Sequence, residues 1–154
     1  MNITELNNRP DLSGDNKLHR IYEQLGMLIK AINNKALPVD TERSISQHVA
    51  VVNASALDGP ALSKLVKQQQ TAILKQLEKE HKIVAKNHYR NMWMLLGFTA
   101  FGLPIGSAFG LSIGNIGLIG VGLPIGMAIG AAVGSSMDKK AFNEGRQLDI
   151  EIKH

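Results

Sequence analysis

Apolar and polar positions divide the chain into three blocks: a mixed segment up to Arg90, a block from Asn91 to Met137 without a single Asp, Glu, Lys, Arg or His, and a polar tail from Asp138 onward. In the first block the apolar residues recur at helical spacing. From Asn16 to Lys35, the residues Leu18, Ile21, Tyr22, Leu25, Leu28, Ile29 and Ile32 lay a stripe along one helix face. A weaker stripe, Ile45, Val49, Val52 and Ala56, is introduced by Pro38 and the capping candidate Asp40 and stops near Asp58, Gly59 and Pro60. From Ala61 onward, Leu62, Leu65, Val66, Ala72, Ile73, Leu77, Ile83 and Val84 trace a longer helix. No breaker follows it, so the pattern predicts that it runs on into the apolar block. Gln68, Gln69 and Gln70 interrupt its apolar face and read as a solvated patch. Together these segments predict a small helical bundle.

The apolar block holds two stretches, Met92 to about Ile113 and about Ile116 to Met137, each close to the roughly twenty residues that a helix needs to cross about 30 Å of hydrocarbon. Asn115, flanked by Gly114 and Gly117, is the obvious turn between them, and so short a connection makes the helices antiparallel neighbours. Interfacial residues mark both ends: Tyr89 and Trp93 beside Lys82, Lys86 and Arg90 at the entrance, and Phe142 beside Lys139 and Lys140 at the exit. These cations predict that both ends lie on the cytoplasmic side. The expected division is a flexible N-terminus over 1–15, a helical basic region over 16–90, a transmembrane hairpin over 91–137 and a polar tail over 138–154. The fold class is therefore all-α: a helical N-terminal region followed by a two-helix glycine-zipper transmembrane hairpin.

Within the hairpin the phrase FGLPIGSAFGLSIGN at 101–115 returns as VGLPIGMAIGAAVGS at 121–135. Glycine takes every fourth position of each copy, Gly102, Gly106, Gly110 and Gly114, then Gly122, Gly126, Gly130 and Gly134. Residues four apart stack on one helix face, so each set forms a groove without side chains, and such grooves let membrane helices approach closely. Read as strands, the runs are too long and lack polar alternation. Pro104 and Pro124 stand at matching points, where each removes one backbone hydrogen bond and is expected to kink its helix. One glycine strip would suffice to zip a two-helix hairpin. Two strips, with Gly97, Gly117 and Gly120 besides, leave small faces over for neighbouring subunits, which points to a homo-oligomer. Glycine and proline also dilute the hydrophobicity of each span, so the hairpin could stay shielded by a partner and insert later as a unit.

Composition narrows the chemistry. The 154 residues suffice for one ordinary domain, and the absence of cysteine removes disulfides, thiolate metal sites and thiol nucleophiles. The five histidines, His19, His48, His81, His88 and His154, show no metal-ligand pattern such as HExxH. No Gly-Lys-Ser/Thr follows the glycine runs, so they are not phosphate loops, and no nucleophile, base and orienter can be assembled. The reading is a non-enzymatic protein without cofactor or metal. Lys75, Lys79, Lys82, Lys86 and Arg90 make the approach to the apolar block basic, which serves as a topology signal or attracts anionic lipid. Without interleaved aromatics they do not suggest nucleic-acid binding. The opening MNITELNNRPDLSGDN lacks the pattern of a secretory signal, so any export is expected to use another route.

The GxxxGxxxGxxxG runs at 102–114 and 122–134 resemble the glycine zippers of bacterial membrane proteins. Together with a small, cysteine-free chain that shows no signal peptide, they resemble pore-forming type VI secretion effectors of the glycine-zipper kind. The segment MDKKAFNEGRQL also resembles the ends of small bacterial glycine-zipper proteins of unassigned role. The resemblance covers about a third of the chain. It implies insertion into a bilayer and self-association into ion-conducting pores, with an antibacterial toxin acting at the bacterial inner (cytoplasmic) membrane as the setting. A secretion chaperone and an immunity protein are the partners that setting implies. The alternative is a resident inner-membrane adaptor that the hairpin anchors.

Overall fold

The computed structural model describes residues 3–10, 12 and 16–153. They form an all-α protein with a C-terminal two-helix hairpin, in two compact units: residues up to Ile83 together with those from Leu148, and residues Val84–Gln147.

The first unit contains α1 (Asn16–Asn33), α2 (Val39–Asn53) and α3 (Gly59–His81), with α3 packed against both of the others. The α1 stripe expected from the sequence forms one wall of the core, with Leu18, Leu25, Leu28, Ile29 and Ile32 almost wholly buried. Ile45, Val49 and Val52 of α2 meet Leu62, Val66, Ile73 and Leu77 of α3 in the same cluster. Each such side chain contributes about 1.5–3 kcal/mol on burial, which holds three short helices together. Ala56 lies beyond the end of α2 and is exposed.

Several expectations change. The segment expected to be flexible is anchored where it is described: Ile3 and Leu12 are buried in the core, Ile3 N donates to Asn33 Oδ1 at 3.0 Å, and Tyr22 Oη donates to the Asn7 carbonyl at 2.9 Å. Residues 1, 2, 11 and 13–15 of that segment lie outside the described residues. The tail also returns to this core, through buried Leu148 and Ile150. Its backbone is held by the bond from Lys153 N to Gln24 Oε1 at 3.0 Å. Gln70 is buried, not solvated, because it continues the Leu62–Val66 face, and its Oε1 accepts from Gln24 Nε2 at 3.3 Å. Gln69 Oε1 pairs with His48 Nδ1 at 2.7 Å.

Helix α3 does not run on into the apolar block. It ends at Lys82, which takes the left-handed conformation with φ 56°, while Ile83 N reaches back to the Leu77 carbonyl at 3.2 Å. Lys82 N donates to the Glu78 carbonyl at 3.1 Å, the single bond of the simple left-handed cap, and the residue after it, Ile83, packs inward. Glycine usually fills the left-handed position, so a lysine there leaves no stop signal in the sequence.

The second unit is the hairpin. Its first arm is α4 (His88–Gly97), a π-helical turn (Phe98–Gly102) and α5 (Leu103–Ile113). A 3₁₀ turn (Ile116–Leu118) then leads into α6 (Ile119–Asn143). The expected turn is in place: Gly114 adopts φ 70° and ends α5, and Asn115 Oδ1 accepts from Gly117 N at 3.0 Å. At the open end, Val84 N donates to the Arg146 carbonyl at 3.0 Å, which brings the two chain ends of the hairpin together.

Candidate functional site

The hairpin interface is built from backbone. A Cβ placed on Gly134 would fall on the Tyr89 carbonyl oxygen, and one on Gly130 on that of Trp93. On Gly126 it would strike the Gly97 oxygen, and on Gly122 the Gly102 oxygen. Numbers rise along one arm as they fall along the other, so the arms are antiparallel. Gly106 lies as close to the Ile119 carbonyl, and Gly110 sits 3.2 Å from Ile119 Cγ1 by the same construction of an ideal Cβ. Gly102, Gly106 and Gly110 therefore face α6, and Gly122, Gly126, Gly130 and Gly134 face the first arm. All seven are buried.

Gly114 does not join this strip. It is exposed and closes α5 as its left-handed cap. Its place at the other end of the strip is taken by Gly97, five residues before Gly102 rather than four. A regular α-helix would turn Gly97 away from the glycine face. The π turn over Phe98–Gly102 holds one extra residue and restores the alignment, so Tyr89, Trp93 and Gly97 continue the line of Gly102 and Gly106. Pro104 follows directly, within the same continuous helical arm, where it has no N–H to offer the Ala100 carbonyl. Pro124 lies inside α6 and has no N–H to offer Gly120. The expected matched pair of kinks therefore has two different backbone settings, one directly after the π turn and one inside α6.

Asp138 is the residue that sequence reasoning passed over. It stands one turn beyond Gly134 on the same face of α6 and is 6% exposed. Its carboxylate accepts from Tyr89 N at 3.1 Å and from Arg90 N at 2.9 Å, two of the amides that a helix leaves unpaired at its start. Asn87, the residue before α4, makes no side-chain cap. Asp138 thus caps α4 from the opposite arm, with its negative charge at the positive end of the helix dipole. The four-residue spacing from Gly134 was the available signal.

The remaining expected interface residues ring the same end. Arg90, Lys139 and Lys140 are exposed, Phe142 is 68% exposed, and Tyr89 and Trp93 are partly buried. Tyr89 meets His88 edge to face at 5.1 Å. Glu144 Oε2 accepts from Arg146 Nε at 2.8 Å, and that bond is the main cause that holds the Glu144 carboxyl below its ordinary pKa and raises that of Arg146.

Bulky apolar side chains cover the outside of the hairpin. Leu95, Leu111 and Ile116 are 68%, 80% and 76% exposed, and Phe101, Phe109, Val121, Ile125 and Ile129 are exposed as well. Both arms, His88–Ile113 and Ile116–Asn143, are long and apolar enough to cross a membrane. The two strips expected to leave faces over for other subunits are instead spent on each other within one hairpin. A second set of small residues does face outward: Ala100, Pro104, Ala108 and Ser112 on the first arm, and Gly120, Pro124, Ala128, Ala132 and Ser136 on α6, all exposed. Comparison of the chain with protein-family models, with curated proteins and with solved structures finds no match.

Proposed function

We propose that this protein inserts its hairpin into a lipid bilayer and self-associates there into ion-conducting pores. The observation that carries the reading is the inverted distribution of side chains. Glycine backbones face inward and large apolar residues face outward, the arrangement suited to a surrounding of hydrocarbon. Self-association is supported by the outward strips of small residues, which offer other copies the close approach that the inner strips have already used. Conduction is supported by the resemblance of the two glycine runs to those of glycine-zipper pore formers. The setting that fits the resemblance is an antibacterial effector at the inner membrane of a target cell, with a shielding chaperone and an immunity protein as partners.

Planar-bilayer recording tests this. The wild-type protein is expected to give discrete current steps. The double variant Ala128→Leu/Ala132→Leu fills the outward strip of α6 and leaves the inner glycines intact, so it should insert normally and conduct little. Inserted wild-type protein that passes no current would instead favour a membrane anchor for an adaptor. One observation favours that second reading: Gly97–Gly110 and Gly122–Gly134 pair fully within one hairpin, so the repeat has a use without a second copy.

A further inference from the structure

Two features meet at the base of the hairpin. The first is an apolar groove of about 300 Å³ on its outer surface, lined by Asn91, Met94, Leu95 and Phe98 of the first arm and Met127 of α6, with no polar surface. The second is a group of cations at the same end of the hairpin. Arg90 lies one helical turn before Met94, so Arg90, Met94 and Phe98 share a face of the helix. Lys86, Lys139 and Lys140 are exposed around the same end. The nearby carboxylates are already engaged, Asp138 by the amides of Tyr89 and Arg90 and Glu144 by Arg146. Among the described residues, neither Arg90 nor these three lysines has an ion-pair partner.

We propose that this groove holds one acyl chain of an anionic phospholipid, with the phosphate taken by the Arg90 guanidinium. The dimensions agree: from Arg90 to Phe98 the helix rises about 12 Å, which places a chain along the groove while its headgroup stays at the level of the cations. A guanidinium can meet phosphate oxygens in two parallel hydrogen bonds, which an isolated ammonium cannot. Two methionines give the groove walls that adapt to a flexible chain. The site rests on the insertion proposed above. It makes the hairpin selective for membranes rich in anionic lipid, which a merely apolar hairpin is not.

Trp93, the single tryptophan of the chain, lies on the glycine-facing line, so a reporter in the groove is made by combining Trp93→Phe with Phe98→Trp. This full-length protein is reconstituted into vesicles that contain equal amounts of either brominated phosphatidylglycerol or brominated phosphatidylcholine, and quenching of its one indole is compared. The anionic lipid should be preferred several-fold. Arg90→Gln should lower that preference about fivefold, the value of one cation near the surface, whereas Lys153→Gln, with the same loss of charge in the other unit, should leave it unchanged. Equal quenching by the two lipids, or equal effects of the two variants, would overturn the site while insertion stands. Absence of quenching by either lipid, with the protein recovered in the aqueous fraction, would overturn insertion and the site with it.

Discussion

A single methyl group has opposite meanings at different glycines of this hairpin. Alanine in place of glycine normally stabilises a helix by about 0.5–1 kcal/mol, because the unfolded chain loses freedom. At Gly120 a Cβ meets nothing within 4 Å, so Gly120→Ala should give that gain. At Gly130 the same methyl lands on the Trp93 carbonyl and 3.1 Å from Met94 Cα. These are backbone atoms that cannot turn aside, so the arms must separate. Gly130→Ala should therefore destabilise by about 1–3 kcal/mol, the usual penalty for overpacking. Equilibrium unfolding of the monomer in mixed detergent micelles checks the pair, and equal effects would mean that the inner face is not close-packed.

At the scale of the element, each helix depends on something outside itself. The start of α4 has no cap of its own and borrows one from α6. Asp138→Ala leaves the Tyr89 and Arg90 amides without their acceptor and should cost about 1–2 kcal/mol, as loss of a helix cap does. Asp138→Asn keeps an acceptor oxygen but loses the charge, and should fall between. Amide exchange at Tyr89 and Arg90 should rise in the same order. Unchanged protection in Asp138→Ala would show that the arms hold the helix start without the carboxylate. The π turn is a second dependence of this kind. The five-residue step from Gly97 to Gly102 is out of phase with the four-residue period around it, and close packing against Gly126 is what keeps the extra residue in the helix.

For the whole molecule, the decisive feature is that the chain leaves the hairpin where it entered. Val84 is bonded to Arg146, and Leu148 and Ile150 return to the core formed by α1, α2 and α3. If the hairpin crosses a membrane, residues on either side of it must share one compartment. The chain has no cysteine, so Asp58→Cys and Glu151→Cys each provide a unique label. Both should react with a membrane-impermeant maleimide from the same side of sealed vesicles. Labelling from opposite sides would rule out a two-span hairpin.

The sequence alone determined the helical stripes of the first unit, the length and charge-free character of the two apolar arms, and the turn at Asn115. These depend on periodicity, composition and local turn chemistry, which neighbouring residues carry among themselves. The tertiary structure decided which glycines pack. It set Gly114 aside as a helix cap and brought in Gly97, because alignment across two helices depends on the π turn and not on spacing within one strip. It also fixed the end of α3 at Lys82, where burial of Ile83 outweighs the strain of a left-handed lysine. Likewise it gave Asp138 its role and drew Ile3, Leu148 and Ile150 into one core. The partners in these contacts are distant in sequence, so no local pattern records them.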